Sequence, residues 1–300
     1  MQLKEFVVSS RQHLSALYPS EEANTIVGVL CTEYLGVESY TYMVNPEYEI
    51  KDKMLIQAEA ALKRLVAGEP LQYVLGYTVF YGHKFKLNPS VLIPRPETEL
   101  ICRYVIEQAM MLYRHRSAYG DKAMPVRILD LCTGSGCIAW TMALNVPGSQ
   151  VVGVDISADA LAVAGSQSLE IEKGRAPRFV QADLLDDDSV EAALKDEAPF
   201  DIIVSNPPYV LESEKALMRS NVLDYEPSLA LFVPDSDPML FNQKIAKICS
   251  AHLNTDNYCF VEINEAMGES ARQLFQDKGF RDVEIIKDFS NKNRCVKFLK

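Results

Sequence analysis

Ile128-Leu129-Asp130-Leu131-Cys132-Thr133-Gly134-Ser135-Gly136 decides how this 300-residue chain is read. Apolar residues around one acid make a buried strand, and two glycines then make a tight turn ahead of a helical run, Gly136 to Asn145. Glycine accepts conformations and close approaches that a Cβ forbids, so a strand passing through such a turn into a helix lets a ligand lie against the main chain. The next strand-like run, Val151 to Val154, ends at Asp155, where a carboxylate is suited to hydrogen-bond ribose hydroxyls. Cys132, Thr133, Gly134, Ser135, Gly136 and Asp155 are therefore candidate nucleoside contacts.

This segment leaves three readings open. Gly134-x-Gly136-x-x-Ala139 also satisfies the relaxed fingerprint of a nicotinamide-cofactor enzyme, a methyltransferase nucleoside site uses the same geometry, and the glycines could serve a turn alone. Further along, strand-like Arg178 to Val180 leads to Asp183 and Leu184, which adds a second acid at the same sheet edge, placed to accept from an adenine amino group or, more plainly, to cap a helix.

The fourth strand, Phe200 to Val204, runs into Ser205-Asn206-Pro207-Pro208-Tyr209. Two prolines fix their own φ angles and bias Asn206 toward an extended backbone, so the turn is stiff. Stiffness suits chemistry on an amide, whose nitrogen lone pair is delocalised into the carbonyl and needs help from outside. If the Asn206 side-chain oxygen and the Pro207 carbonyl each accept an N–H of a target amide, they aim its nitrogen and favour the positive charge that develops on methylation. Tyr209 can stack on the amide plane. Asn206, Pro207 and Tyr209 are the candidate catalytic residues and, with Pro208, the candidate substrate site; no acid–base residue of special pKa is required.

Strand and helix signals alternate from residue 127 onward, adding a helix over Ala158 to Ile171, a helix over Pro238 to Leu253, a strand over Tyr258 to Ile263 and a helix over Glu265 to Lys278. Such alternation predicts βαβ units and a mostly parallel sheet. The last strands, Val283 to Lys287 and Arg294 to Leu299, have no helix between them and predict a terminal antiparallel hairpin. Upstream, residues 1–68 carry helical periodicity: Phe6, Val7, Leu14 and Leu17, then Ile26, Val27, Leu30 and Leu35, then Leu55, Ala58, Leu62, Leu65 and Val66 in a helix from Lys51 to Ala67 that Gly68 stops. Residues 69–96 read as a connecting hairpin broken at Gly82, with Pro94 and Pro96 excluding a helix before Glu97, and a polar link falls near 117–125. The expected domains are thus 1–68, 69–96 and 97–300.

Hydrophobic residues are 48% and charged residues 24%, an ordinary soluble balance, and a formal net charge of -11 argues against stable binding along a nucleic-acid backbone. Seven scattered cysteines without a C-x-x-C pair fit reduced thiols, four separated histidines predict no metal site, and no stretch is long and apolar enough for a leader or a membrane span. A soluble cytoplasmic monomer is expected.

Taken together, Gly68-Glu69-Pro70-Leu71-Gln72-Tyr73, Phe80-Tyr81-Gly82, Val91-Leu92-Ile93-Pro94-Arg95-Pro96-Glu97-Thr98-Glu99, Leu129-Asp130-Leu131, Ser205-Asn206-Pro207-Pro208-Tyr209 and Tyr225-Glu226-Pro227-Ser228-Leu229-Ala230-Leu231 resemble, in order, the signatures of the HemK/PrmC family of peptide chain release factor glutamine methyltransferases. The Asn-Pro-Pro-Tyr box also occurs in adenine and cytosine amino-methyltransferases, which form the alternative reading; the Pro94 to Glu99 segment narrows it. The resemblance implies an α/β class I S-adenosylmethionine-dependent methyltransferase fold with a Rossmann-like, seven-stranded sheet, a small N-terminal helical domain that docks the release factor, and methylation of the glutamine in its Gly-Gly-Gln loop. It implies S-adenosyl-L-methionine contacts at Cys132 to Gly136, Asp155, Asp183, Leu184 and Asn206, with Arg95 and Glu97 lining the same cavity. Two departures stand out. Cys132 replaces a family glycine, and Phe232-Val233-Pro234-Asp235 replaces a glycine pair. A positive φ at Cys132 would carry roughly 1 to 3 kcal/mol of strain.

Overall fold

Apolar residues at helical spacing fold the N-terminal part into α1 (Leu3–Leu14), α2 (Ser20–Leu30) with a π-helical turn over Cys31–Leu35, α3 (Thr41–Val44), α4 (Asp52–Val66) and α5 (Leu71–Leu75). Leu3, Phe6, Val7, Leu14, Ile26, Leu30 and Leu65 fill its core, whereas Leu17 and Val66, expected on inward faces, are exposed. Gly68 follows α4 at φ 94°, the left-handed stop that its position predicts. The helix α5 was not anticipated, because its five residues are too few for a periodicity. Pro70 starts it, Gly76 ends it at φ 76°, and the Arg64 guanidinium donates to the carbonyls of Tyr73 and Val74 while pairing with Glu69.

The computed structural model describes residues 1–118, 124–172 and 174–300, and its contacts divide it into one unit of Met1–Gly76 with Arg219–Tyr225 and another of Tyr77–Met218 with Glu226–Lys300. The boundary expected at residue 68 thus moves to Gly76. The hairpin joins the larger unit, and the expected polar link at 117–125 lies partly outside the described residues, Ser117 being helical.

In the larger unit, β1 (Tyr77–Phe80) and β2 (His83–Lys86) pair across a two-residue turn, Tyr81-Gly82, with both φ angles positive, which matches the right-handed twist of the strands. Then come α6 (Pro96–Ala118), β3 (Arg127–Leu131), α7 (Cys137–Asn145), β4 (Gln150–Asp155), α8 (Ala158–Gly165), β5 (Arg178–Gln181), α9 (Asp187–Leu194), β6 (Phe200–Ser205) and a short β7 (Val210–Leu211). After α10 (Ser220–Tyr225), which belongs to the smaller unit, follow β8 (Phe232–Val233), α11 (Leu240–His252), β9 (Leu253–Glu262), α12 (Gly268–Asp277), β10 (Arg281–Lys287) and β11 (Asn293–Leu299). The helix expected through Ile171 stops at Gly165, where the Gln167 side chain bonds both the N–H and the carbonyl of Lys86 and draws the chain onto β2.

The sheet order is β10-β11-β9-β6-β3-β4-β5, with β11 antiparallel to both its neighbours and the other pairings parallel. The α/β fold, seven strands and terminal antiparallel hairpin agree with the sequence reading. Alternate residues go to opposite faces. Leu129, Leu131, Val152 and Ile203 meet one layer of helices, while Ile128, Val151, Ile202 and Val204 meet α6 and α7. Chain order reverses between β3 and β6, and it is at such a switch point, beyond the carboxyl ends of the strands, that open α/β sheets hold ligands. Register fixes what emerges there. Leu131 pairs with Val154 and Ser205, and Ser205 pairs with Val261, so Cys132, Asp155, Asn206 and Glu262 reach the edge together.

Candidate active site

A cavity of about 190 Å³ opens at that edge. Of the sequence-derived candidates it brings together Cys132, Thr133, Gly134, Ser135, Asp155, Asp183, Leu184, Asn206 and Pro208. One wall comes from the 90–94 segment and one from 227–230. These two walls are tied by Glu226, a buried acid that accepts from the Arg95 guanidinium at 2.6 Å and from Ile93 N at 3.1 Å.

At one end, Asp155 holds the glycine turn: its Oδ2 accepts from Gly134 N at 2.8 Å and its Oδ1 from Ser157 N at 3.0 Å. Burial raises its pKa. A Cβ on Gly153 would stand 2.8 Å from Thr133 Oγ1, so the turn lies against β4 as closely as glycine permits. Asp183 also faces the cavity, with Oδ1 accepting from Leu185 N at 2.8 Å, while the capping of α9 falls to Asp186 instead. Beneath the turn Asp130 is fully buried; its Oδ2 accepts from Thr133 Oγ1 at 2.6 Å and from Ala139 N at 3.1 Å, and its Oδ1 has no partner among the described residues. Burial pushes its pKa up to about 7. Cys132 sits at φ 58°, so the strained alternative is the one that occurs. Its thiol is held well above the ordinary range, chiefly by burial, and stays protonated.

At the other end, Asn206 Nδ2 donates to Thr98 Oγ1 at 3.3 Å, and Thr98 Oγ1 donates to Glu262 Oε2 at 2.8 Å. The second oxygen, Glu262 Oε1, accepts from the Tyr209 hydroxyl at 3.0 Å. Thr98 and Glu262 are buried, and burial pushes the Glu262 carboxyl up to about 7. Sequence reasoning assigned neither of them a role. Thr98 lay inside a quoted signature; the sign of Glu262 was a lone acid closing an apolar strand, Phe260-Val261-Glu262.

Five candidates are placed otherwise. Glu97 lines a different groove, with Glu99, Arg103 and Phe289, which corrects the expectation that it shares the cavity. Adjacent residues of a helix point about 100° apart, so Thr98 turns inward where Glu97 cannot. Arg95 buttresses the wall through Glu226 and is not itself part of the lining. Gly136 at φ 77° is a packing position, where a Cβ would stand 3.0 Å from Ala164 and Phe179. Pro207 is buried behind the lining, and Tyr209 turns its hydroxyl to Glu262. The Phe232-Val233-Pro234-Asp235 departure forms β8 against β7, and Asp235 accepts from Ser213 Oγ at 2.7 Å. None of these four residues lines the cavity.

The chain matches the models of two families, PrmC N-terminal domain over residues 8–76 and Methyltransferase small domain over residues 120–223. A release factor glutamine methyltransferase of Bacteroides thetaiotaomicron is 36% identical over 95% of this chain and 96% of its own. One of Flavobacterium psychrophilum is 32% identical over 99% of each. Among solved structures, the release factor-specific protein-(glutamine-N5) methyltransferase of Alicyclobacillus acidocaldarius is 25% identical over 72% of this chain and 99% of its own, at a TM-score of 0.41. The hMettl16 catalytic domain, 12% identical, covers 83% of this chain and 82% of its own at a TM-score of 0.51, a likeness of fold.

Proposed function

Because the chain belongs to the release factor glutamine methyltransferase family, we propose that this cavity transfers a methyl group from S-adenosylmethionine to the side-chain amide nitrogen of the glutamine in a release factor's Gly-Gly-Gln loop. The observation that carries the proposal is that one cavity holds both Asp155 and Asp183, suited to an adenosine, and Asn206 and Pro208, suited to an amide. The cavity fits the methyl donor, since its two carboxylates stand beside apolar Ile156, Leu184 and Phe241, and the main chain at Gly134 has open space where a Cβ would stand.

When bound, S-adenosylmethionine supplies an electrophilic sulfonium methyl. Asp155 and Asp183 would accept from its hydroxyl and amino groups, and residues 132–135 would contact it. Asn206 Oδ1 accepts an N–H of the substrate amide, which aims the nitrogen and stabilises the charge it gains, while the Pro207 carbonyl, expected to take the other N–H, belongs to a residue outside the cavity lining. Tyr209, whose pKa burial and Glu262 hold well above 10, keeps its proton and braces the turn. The methylated nitrogen is cationic as first formed and acidic enough to release one proton to water, which leaves the neutral N-methyl amide.

The N-terminal helical unit docks the release factor, a role supported by the exposed Met43 and Val44 on α3 and Tyr40 just before it. Among the described residues no helix is long and apolar enough to cross a membrane. The enzyme works in the cytoplasm as a monomer, without stable nucleic-acid binding. Incubation with S-adenosylmethionine labelled in its methyl group, and separately with release factor, duplex DNA and RNA, tests the reading. Label is expected in the release factor; label in DNA or RNA would assign the cavity to a base amine.

A further inference from the structure

The mechanism uses Asn206 Oδ1 as an acceptor, yet an asparagine amide can turn over and present its NH₂ instead, which would repel the substrate N–H. Which face it presents is set by Thr98, itself part of the cavity lining, and by the buried Glu262. The Thr98 hydroxyl has one proton. An ionised Glu262 carries no proton and is fully enclosed, so each of its oxygens needs a donor; Thr98 supplies one at 2.8 Å and Tyr209 the other at 3.0 Å. With its proton committed to Glu262, Thr98 can only accept from its remaining neighbour. Asn206 must therefore turn Nδ2 toward it, at 3.3 Å, and Oδ1 is left for the substrate.

We propose that Thr98 and Glu262 are positioning residues whose hydrogen-bond polarity locks Asn206 with its oxygen toward the substrate amide. This rests on the methyl-transfer reading given above. The lock has a direction. If Glu262 gains a proton on Oε2, that proton goes to Thr98 Oγ1, the Thr98 proton swings to Asn206, and the amide turns its oxygen away from the substrate. Turnover then falls on the acid side of the Glu262 titration, which burial places at about 7. The charged and titratable groups facing Glu262 are Glu97 from α6, Tyr209 after β6, and Arg294 and Cys295 from β11, with Cys102 from α6 and Cys137 from α7 behind it. Arg294, tied to Asp288, is the only cation in this set.

Thr98→Val keeps the shape and removes the hydroxyl, and is expected to lower kcat about 10- to 100-fold with cofactor Kd within about threefold, since misorientation of one positioned group typically costs on that order. Thr98→Ser, which retains the hydroxyl, restores most of the loss. The decisive readout is a cycle with Asn206→Ala: once Asn206 is gone, Thr98→Val costs nothing more. Wild-type kcat rises from pH 6 to 8, and Glu262→Gln flattens that rise. A folded Thr98→Val enzyme with wild-type kcat, or one whose loss is undiminished in the Asn206→Ala background, overturns the lock. So does a wild-type kcat that is flat across the same pH range. Should Glu262→Gln not fold, the Thr98 pair and the cycle still decide. Failure of the wild-type chain to methylate release factor defeats the functional reading instead, and is told apart because no variant is needed to see it.

Discussion

At one end of the cavity Asp155 bonds Gly134 and Ser157, partners 21 and 2 residues away; at the other, Asn206 meets Thr98 across 108 residues, Thr98 meets Glu262 across 164, and Tyr209 meets Glu262 across 53. The end proposed for the nucleoside is local. A strand, a glycine turn and the acid closing the next strand suffice to shape it, and main-chain N–H groups supply most of its bonds. The end proposed for the amide is assembled from α6, the turn after β6 and the end of β9, and its bonds run between side chains. Local construction tolerates replacement of a single side chain, whereas a side-chain relay depends on every member keeping its donor or acceptor sense.

If the two ends do separate work, the largest separable effect is at Asn206. Asn206→Ala should lower kcat about 10² to 10³-fold, the usual cost of removing one preorganised hydrogen-bonding partner, while leaving cofactor affinity in place. Single-turnover rates beside calorimetry of the cofactor check it. Equal damage to both quantities would merge the two ends.

Asp155→Ala is the converse. It should weaken cofactor binding by about 1.5 to 3 kcal/mol, as expected for hydrogen bonds to a charged acceptor, with a smaller effect on kcat at saturating cofactor. Calorimetry at matched protein concentration measures it; an unchanged Kd in a folded variant removes Asp155 from the nucleoside site.

The buried acids sharpen the comparison through pH. Glu262 is raised from 4.5 to about 7 and Asp130 from 3.8 to about 7, both mainly by burial. The fold favours the neutral form of each. Their stabilising contribution is thus complete below the unfolded values and is lost as pH rises through about 7. Unfolding free energy should decline between pH 5 and 8, and Glu262→Gln should remove roughly 1 to 3 kcal/mol of that decline, since one pKa unit corresponds to 1.36 kcal/mol. Denaturant titrations at several pH values test this; a wild-type stability that climbs over the window contradicts it.

The smallest effect is expected at Cys132. A left-handed residue with a side chain costs roughly 1 to 2 kcal/mol, part of which glycine returns as unfolded-chain entropy, so Cys132→Gly should gain no more than about 1 kcal/mol and remain active. Thermal melts and turnover check both halves. Loss of activity would give the sulfur a role.

Much of this was legible in the sequence, for reasons that particular residues make plain. The parallel strands announced themselves because both faces are buried, as in Ile202-Ile203-Val204, and the glycine turn because Gly134 and Gly136 both take positive φ. Short elements were not legible: α5 and the β7–β8 pair are briefer than any hydrophobic period. Nor was the inclusion of Arg219–Tyr225 in the smaller unit, where the Tyr225 hydroxyl donates to the Ala67 carbonyl at 2.9 Å and Arg219 pairs with Glu22. Asn206 stood out because its motif is contiguous; Glu262 did not, because its meaning lies in Thr98, a residue on another element. Glu97 was misplaced because a list of motif letters does not say which way a helix turns.

The most direct test of the amide grip is to locate the methyl group. Release factor treated with the enzyme and S-adenosylmethionine is digested, and the peptide carrying its Gly-Gly-Gln loop is fragmented by tandem mass spectrometry. A methyl group on the side-chain nitrogen of that glutamine, absent with Asn206→Ala, is the expected result. A methyl group on any other residue, or on the glutamine at undiminished yield with Asn206→Ala, contradicts the account.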